Sequence, residues 1–149
     1  MKLKSPAFRN NGEIPSKYTC DGENINPPLQ VEDIPEGTAS LVLVVDDPDV
    51  PKHLREDGMW DHWIVWNIPI LDHIDEDSVP GTQGLTTSKK HNYSGPCPPD
   101  RKHRYFFKLY ALDAKLSISE NSTKKEVEKA MQGHILEKTE LIGLYERKK

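Results

Sequence analysis

The chain has 149 residues and a net charge of −4, from 20 Lys+Arg against 24 Asp+Glu. That length suits one domain, 1–149, large enough for a real core, and the charge argues against nucleic acid as a partner, since a nucleic-acid protein carries a basic patch. The only basic run is Arg147-Lys148-Lys149 at the C-terminus. Two cysteines, Cys20 and Cys97, make neither a disulfide framework nor a zinc spacing. No apolar h-region follows Met1, and no apolar run approaches the roughly 20 residues of a membrane span. The expectation is therefore a cytoplasmic protein with no membrane span and with free thiols at Cys20 and Cys97.

The first third is punctuated by turn clusters, Asn10-Asn11-Gly12, Cys20-Asp21-Gly22, Asn26-Pro27-Pro28 and Pro35-Glu36-Gly37. Such clusters between short apolar pieces predict an all-β beginning, with a short strand at Leu29-Gln30-Val31. Ser40 to Asp46 (SLVLVVD) is apolar on both faces and too short for a helix, which predicts a central strand. Asp46-Asp47-Pro48-Asp49-Val50-Pro51 follows. A tight reversal here predicts a cis Val50–Pro51 bond. His62 to Ile68 (HWIVWNI) is the next strand, stopped by Pro69.

Leu71 to Asp100 shows little regular pattern, and a loop of this length in a compact domain is usually functional. Arg104 to Asp113 alternates, with Tyr105, Phe107, Leu109 and Ala111 on one face and Phe106, Lys108, Tyr110 and Leu112 on the other. Thr123 and Glu126 form a capping-box pattern, Thr123 as N-cap and Glu126 at N3, ahead of helically spaced Val127, Ala130 and Met131. Gly133 ends or kinks this helix, or Ile135-Leu136 prolongs it. Leu141 to Tyr145 reads as a last strand.

Two proline-locked loops enter aromatic strands that carry a histidine: Asp47-Pro48-Asp49 leads to Trp60-Asp61-His62-Trp63, and Gly95-Pro96-Cys97-Pro98-Pro99 leads to His103-Arg104-Tyr105. Proline preorganises such loops. Taken singly, each feature has a plain structural reading: Asp beside Pro starts a turn, and a lone histidine at a strand end is a packed residue. Their repetition favours a shared site. If the strand ends meet, Asp47, His62, His103, the Gly95 amide and the Tyr105 hydroxyl surround a small anion, held by amide and imidazolium donors. A metal site from Asp47, Asp49, His53 and His62 matches no closed zinc signature. No Gly-x-Ser-x-Gly elbow is present for a serine hydrolase. Cys97, between prolines, reads as a small filler, and Trp60, Trp63 and Trp66 as packing residues.

These motifs resemble the phosphatidylethanolamine-binding protein family, which includes Raf kinase inhibitor protein. The prokaryotic branch is the better match, through Tyr18-Thr19-Cys20-Asp21-Gly22-Glu23-Asn24, Pro27-Pro28-Leu29, Tyr105 to Asp113 and Gly133-His134-Ile135-Leu136. The likeness runs from about Phe8 to Arg147. It implies a mainly β fold: an antiparallel β-sandwich with a central sheet, a smaller second sheet, a few short peripheral helices and a C-terminal helix. It also implies a pocket for phosphate-like groups lined by Asp47, Pro48, His62, Gly95, His103 and Tyr105, with Trp60 at its mouth. Relatives often carry an aromatic where Ser88 stands here, so one side of the pocket is expected to be more open.

The function expected is that of a binding or regulatory protein with a small anion pocket for phosphate-like or phosphorylated head groups, not an enzyme, with no cofactor and no metal. Two alternatives stand beside it: an inhibitor of a serine-type protease or a kinase acting through its surface, and a hydrolase using Asp47 and His62 as acid and base. A homodimer is compatible with the sequence.

Overall fold

The computed structural model describes residues 1–147; Lys148 and Lys149, the end of the basic run, lie outside the described residues. In chain order the strands are β1 (Lys2–Lys4), β2 (Gly12–Glu13), β3 (Leu29–Glu32), β4 (Ser40–Asp47), β5 (Trp60–Ile68), β6 (His73–Ile74), β7 (Thr82–Gln83), β8 (His103–Leu112) and β9 (Ile135–Tyr145). A 3-10 turn covers Ser16–Tyr18, and helix α1 (Lys124–Met131) precedes β9. The larger sheet runs β2-β9-β8-β4-β5-β7 and the smaller one β1-β3-β6. Neighbours are antiparallel except β2 beside β9.

The apolar run Ser40–Asp47 is central because both of its faces are covered. Leu41, Leu43 and Val45 face the small sheet, among Leu29, Val31, Trp63, Val65, Phe107 and Leu109. Val42 and Val44 face the other way and pack with Ile64, Trp66, Val127 and Met131 beneath α1. The alternation read in β8 holds, with Tyr105, Phe107, Leu109 and Ala111 fully buried on the inner face. Helix α1 starts where the capping box places it: Glu126 Oε1 accepts the Thr123 backbone N–H at 3.2 Å. Gly133, at φ +82°, ends it in the left-handed conformation that glycine takes most cheaply. Ile135-Leu136 does not prolong the helix. It opens β9, which pairs with β8 from Leu112↔Ile135 onward.

Two further expectations are corrected. The Val50–Pro51 bond is trans, since the described residues contain no cis peptide. The reversal is spread over 50–58 instead, closed by Val50 N–H to Gly58 O at 3.2 Å and Leu54 N–H to Pro51 O at 2.9 Å. Cys20 and Cys97 are not free thiols but a disulfide, with Cα atoms 5.5 Å apart, inside the ordinary range for a bridge. The loop after the 3-10 turn lies against the Gly-Pro-Cys-Pro-Pro loop, where Cys20 N–H donates to Pro96 O at 3.1 Å. A count of two cysteines carries no information about that approach.

On the outer face, directly behind the candidate pocket, four charges meet. Asp46 Oδ2 accepts Lys108 Nζ at 2.9 Å and Lys124 Nζ at 3.1 Å, and Lys124 Nζ also lies 2.8 Å from Asp61 Oδ1. Burial alone would pull the Lys124 pKa down, but Asp61 and Asp46 outweigh it and hold the ammonium above its usual value. This lysine ties the first turn of α1 to β4 and β5. Lys124→Met should lower unfolding free energy by about 3 kcal/mol, the lower end for breaking a buried pair. Lys108→Met, at a more exposed partner, should cost under about 1 kcal/mol. Urea denaturation of the two variants compares them; equal losses would contradict this assignment.

Candidate functional site

A cavity of about 260 Å³ opens where the end of β4 meets the starts of β5 and β8. Its floor is polar, with Asp47, His62, His103 and Tyr105; its walls and rim are Val50, Leu54, Trp60, Ser94, Gly95 and the Cys97-Pro98-Pro99 segment. The floor exists because of an irregularity in β5. Val45 pairs with Trp63 but Asp46 pairs with Asp61, so His62 is an extra residue, a β-bulge. Without the bulge His62 would share a face with Ile64. With it, Asp61 goes to the outer face beside Lys124, while His62 turns inward with Asp47, as bulges commonly re-aim side chains.

The hydrogen bonds of the floor are nearly all spent internally. Asp47 is buried; its Oδ1 accepts the Asp49 N–H at 2.7 Å and its Oδ2 faces His103 Nδ1 at 2.7 Å. The second nitrogen of His103, Nε2, faces Asp100 Oδ1 at 2.6 Å. A carboxylate offers no proton, so both contacts are hydrogen bonds only if the ring donates twice. Desolvation works against the Asp100 carboxylate, but the bond from His103 and its charge bring its pKa below the usual value. Asp49 is held ionised in the same way. The two-pronged bond from Arg104, at 2.8 and 2.9 Å, lowers its pKa.

His62 behaves oppositely. Its Nδ1 lies 2.6 Å from the Ser94 carbonyl oxygen, which only an N–H can satisfy, so Nδ1 carries the proton. Burial pushes the ring's pKa down, and the Ser94 bond and the charge of Asp47 offset this only in part. The neutral ring therefore presents a bare lone pair at Nε2, which is buried and has no partner. The Tyr105 hydroxyl is likewise buried and unpartnered. Its ring meets His62 edge-on, with centroids 5.3 Å apart. Burial first, and Asp47 second, raise the Tyr105 pKa and keep it a neutral phenol.

Of the seven residues expected at the site, six line one cavity: Asp47, Trp60, His62, Gly95, His103 and Tyr105. Pro48 is not among its lining residues. The Gly95 amide is not an anion donor, because it donates to Asn24 Oδ1 at 2.7 Å. Glycine is required there for closeness: a Cβ would stand 2.4 Å from both Asn24 Oδ1 and the Tyr18 carbonyl oxygen. Ser88 does not line the cavity; its Oγ pairs with Thr86 Oγ1 at 3.0 Å. Asp49, considered for a metal, is committed to Arg104. Sequence reasoning missed Val50, Leu54 and Ser94, since nothing in an apolar loop residue or a lone serine marks a cavity wall.

The fold is a sandwich of unequal sheets with a cavity at the strand ends, and comparison with known proteins places it. The family model for phosphatidylethanolamine-binding protein matches residues 4–146. A UPF0098 protein of Chlamydia pneumoniae is 50% identical over 149 residues, covering 99% of both chains. A UPF0098 protein of Methanothermobacter thermautotrophicus is 46% identical over 155 residues, again with 99% of each covered. Among solved structures, a phosphatidylethanolamine-binding protein homologue from Chlamydia trachomatis superposes with a TM-score of 0.95 at 48% identity, covering 98% of this chain and 97% of that one. YbcL of E. coli, described as a member of the mammalian family, gives 0.87 at 28% identity, covering 99% and 98%. The chain belongs to the phosphatidylethanolamine-binding protein family.

The structural role of Gly95 sets a direct expectation. Gly95→Ala should destabilise the protein by about 1–3 kcal/mol, the cost of overpacking a filled site, because the methyl group has to displace backbone at Tyr18. Chemical denaturation reads the loss; an unchanged midpoint would show that the 18–24 loop yields freely.

Proposed function

We propose that this protein binds a small phosphate-like head group on the floor of the cavity, in a regulatory and not a catalytic role. The observation that carries the reading is the pair of orphaned buried atoms, His62 Nε2 and the Tyr105 hydroxyl, on that floor. Buried polar atoms are paired in nearly all native structures, and each exception calls for an explanation, which a bound polar group supplies here. The apolar rim of Val50, Leu54 and Trp60 suits an organic substituent on that head group.

The polarity of the floor restricts which protonation state enters. Neutral His62 offers an acceptor, Asp47 is an anion, and only Tyr105 is free to donate. A fully ionised phosphate presents acceptors alone and meets one free donor on the floor, with the Ser94 hydroxyl and the Trp60 indole N–H further out on the wall and rim. A singly protonated phosphate ester satisfies both orphans, its P–OH donating to Nε2 and an oxygen accepting from Tyr105. Alternatively His62 takes up the proton as the anion enters. Either way one proton accompanies the ligand.

Catalysis is no part of this proposal: Asp47, half of the acid–base pair considered, is already bound at both oxygens. Inhibition of a protease or a kinase ranks second. It would draw on the exposed rim, where Leu54 projects and Arg55 stands 5.8 Å from the Trp60 ring. A cytoplasmic location belongs to the proposal only if the Cys20–Cys97 bridge can be reduced there, because disulfides persist mainly in oxidising compartments. Among the described residues no helix is long and apolar enough to cross a membrane.

Calorimetric titration with sulfate and with phosphate between pH 5 and 8 tests the proton requirement. Sulfate stays a dianion across this range, so its proton must come from the protein. Because burial depresses the His62 pKa, sulfate affinity should fall by about tenfold per pH unit above that depressed value, the slope for uptake of one proton. Phosphate, which brings its own proton, should keep its affinity to higher pH. Sulfate binding that is flat with pH, or absence of binding by both anions throughout, would overturn the reading.

A further inference from the structure

The Cys20–Cys97 bridge lies at the wall of the cavity. Cys97 lines the cavity and is exposed, whereas Cys20 is half-buried. Apart from the bridge, three hydrogen bonds hold this wall to the 18–24 loop. Cys20 N–H donates to Pro96 O at 3.1 Å, Gly95 N–H to Asn24 Oδ1 at 2.7 Å, and the Tyr93 hydroxyl to Tyr18 O at 2.8 Å. All three attach the wall at or before Pro96. None reaches Cys97, Pro98 or Pro99, and the two prolines have no N–H to give. The disulfide is therefore the fastening of the outermost part of the wall, the part next to Asp100 and its contact with His103.

We propose that this disulfide is a thiol-addressable clamp on the pocket wall, opened by a small thiol of the glutathione class. A thiolate attacks Cys97 Sγ, on the more accessible half, because access decides which sulfur is attacked. A new S–S bond forms between the thiol and Cys97, the Cys20–Cys97 bond breaks, and its electron pair leaves on Cys20 as thiolate, which takes a proton from water. A second thiolate attacks the sulfur of the bound thiol, forms the oxidised small-molecule disulfide and releases Cys97 as thiolate. Two thiols are oxidised and one protein disulfide is reduced. With the clamp open, Cys97–Pro99 is tethered only through Pro96 and Asp100, and the cavity loses a fixed wall. The first-stage adduct sits at the rim itself, so the thiol-capped protein is also a sterically obstructed one.

The test uses the whole protein, folded, in buffers of decreasing oxidised-to-reduced glutathione ratio. Alkylation and peptide mass spectrometry read which cysteine carries glutathione and which is free. Amide exchange by NMR reads Cys20 and Gly95, whose N–H groups span the joint. Acrylamide quenching reads Trp60 at the rim, since Trp63 and Trp66 are buried. The expected result is glutathione on Cys97 at intermediate ratios and two thiols at reducing ones. Exchange at Cys20 and Gly95 should quicken by about tenfold or more, as for a locally opened unit, and Trp60 quenching should rise, while amides of β4 and β8 stay protected. Cys20→Ser/Cys97→Ser should reproduce the reduced state; should that variant fail to fold, the reduced natural chain still decides. A bridge that resists glutathione until the whole protein unfolds overturns the proposal, and so does reduction that leaves exchange at Cys20 and Gly95 unchanged. No ligand enters these readouts, so they stand or fall separately from the phosphate reading.

Discussion

The site depends on one buried contact, the hydrogen bond between Asp47 at the end of β4 and His103 at the start of β8. It joins the two central strands of the larger sheet at one end and takes one Asp47 oxygen, while the Asp49 amide takes the other. An ionised carboxylate this buried is tolerable only when paired and fully hydrogen-bonded. His103 supplies the pairing and is itself held by Asp100 on its far nitrogen. The floor of the pocket is thus a network in which one imidazole ring is shared between two carboxylates, Asp47 and Asp100. Its other polar atoms are engaged internally, and His62 Nε2 and the Tyr105 hydroxyl remain without a partner.

The same economy of buried charge operates behind the pocket. Asp46 and Asp61 adjoin Asp47 and His62 in sequence but point to the opposite face, where Lys108 and Lys124 neutralise them. Strand alternation alone sends Asp46 outward; the bulge in β5 sends Asp61 there as well. Alternation in β4 and the bulge in β5 together assign four polar residues to two separate networks. The helix that covers the outer core carries Lys124 in its first turn, so helix docking and the rear of the pocket share one set of contacts.

Much of this was legible in the residues. The run Ser40 to Asp46 was legible as a strand covered on both sides, one residue short of its observed end at Asp47, and the alternation of β8 and the capping box of α1 were read at the right positions. The first half of β9 was not legible. Ile135 and Leu136 are exposed apolar residues that follow a helix at a plausible spacing, and only pairing with β8 makes them strand. Strands of two or three residues, such as β2, β6 and β7, are too short to show any period. The site was legible as a set of residues and not as a set of roles. The histidines, aspartate and tyrosine do converge, but the Gly95 amide points to Asn24 and His103 is engaged on both nitrogens. Which atoms remain free is fixed by partners distant in sequence, such as Ser94 for His62 and Asn24 for Gly95. The disulfide was illegible for the same reason.

The central claim is that the free pocket presents a proton acceptor at His62. The tautomer is open to direct measurement, by the ring nitrogen chemical shifts of His62 in the ligand-free protein at pH 7, assigned through a His62→Gln variant. The account predicts a neutral ring with the proton on Nδ1 and a pyridine-like Nε2. A ring protonated on Nε2 alone, or an imidazolium at that pH, would contradict it.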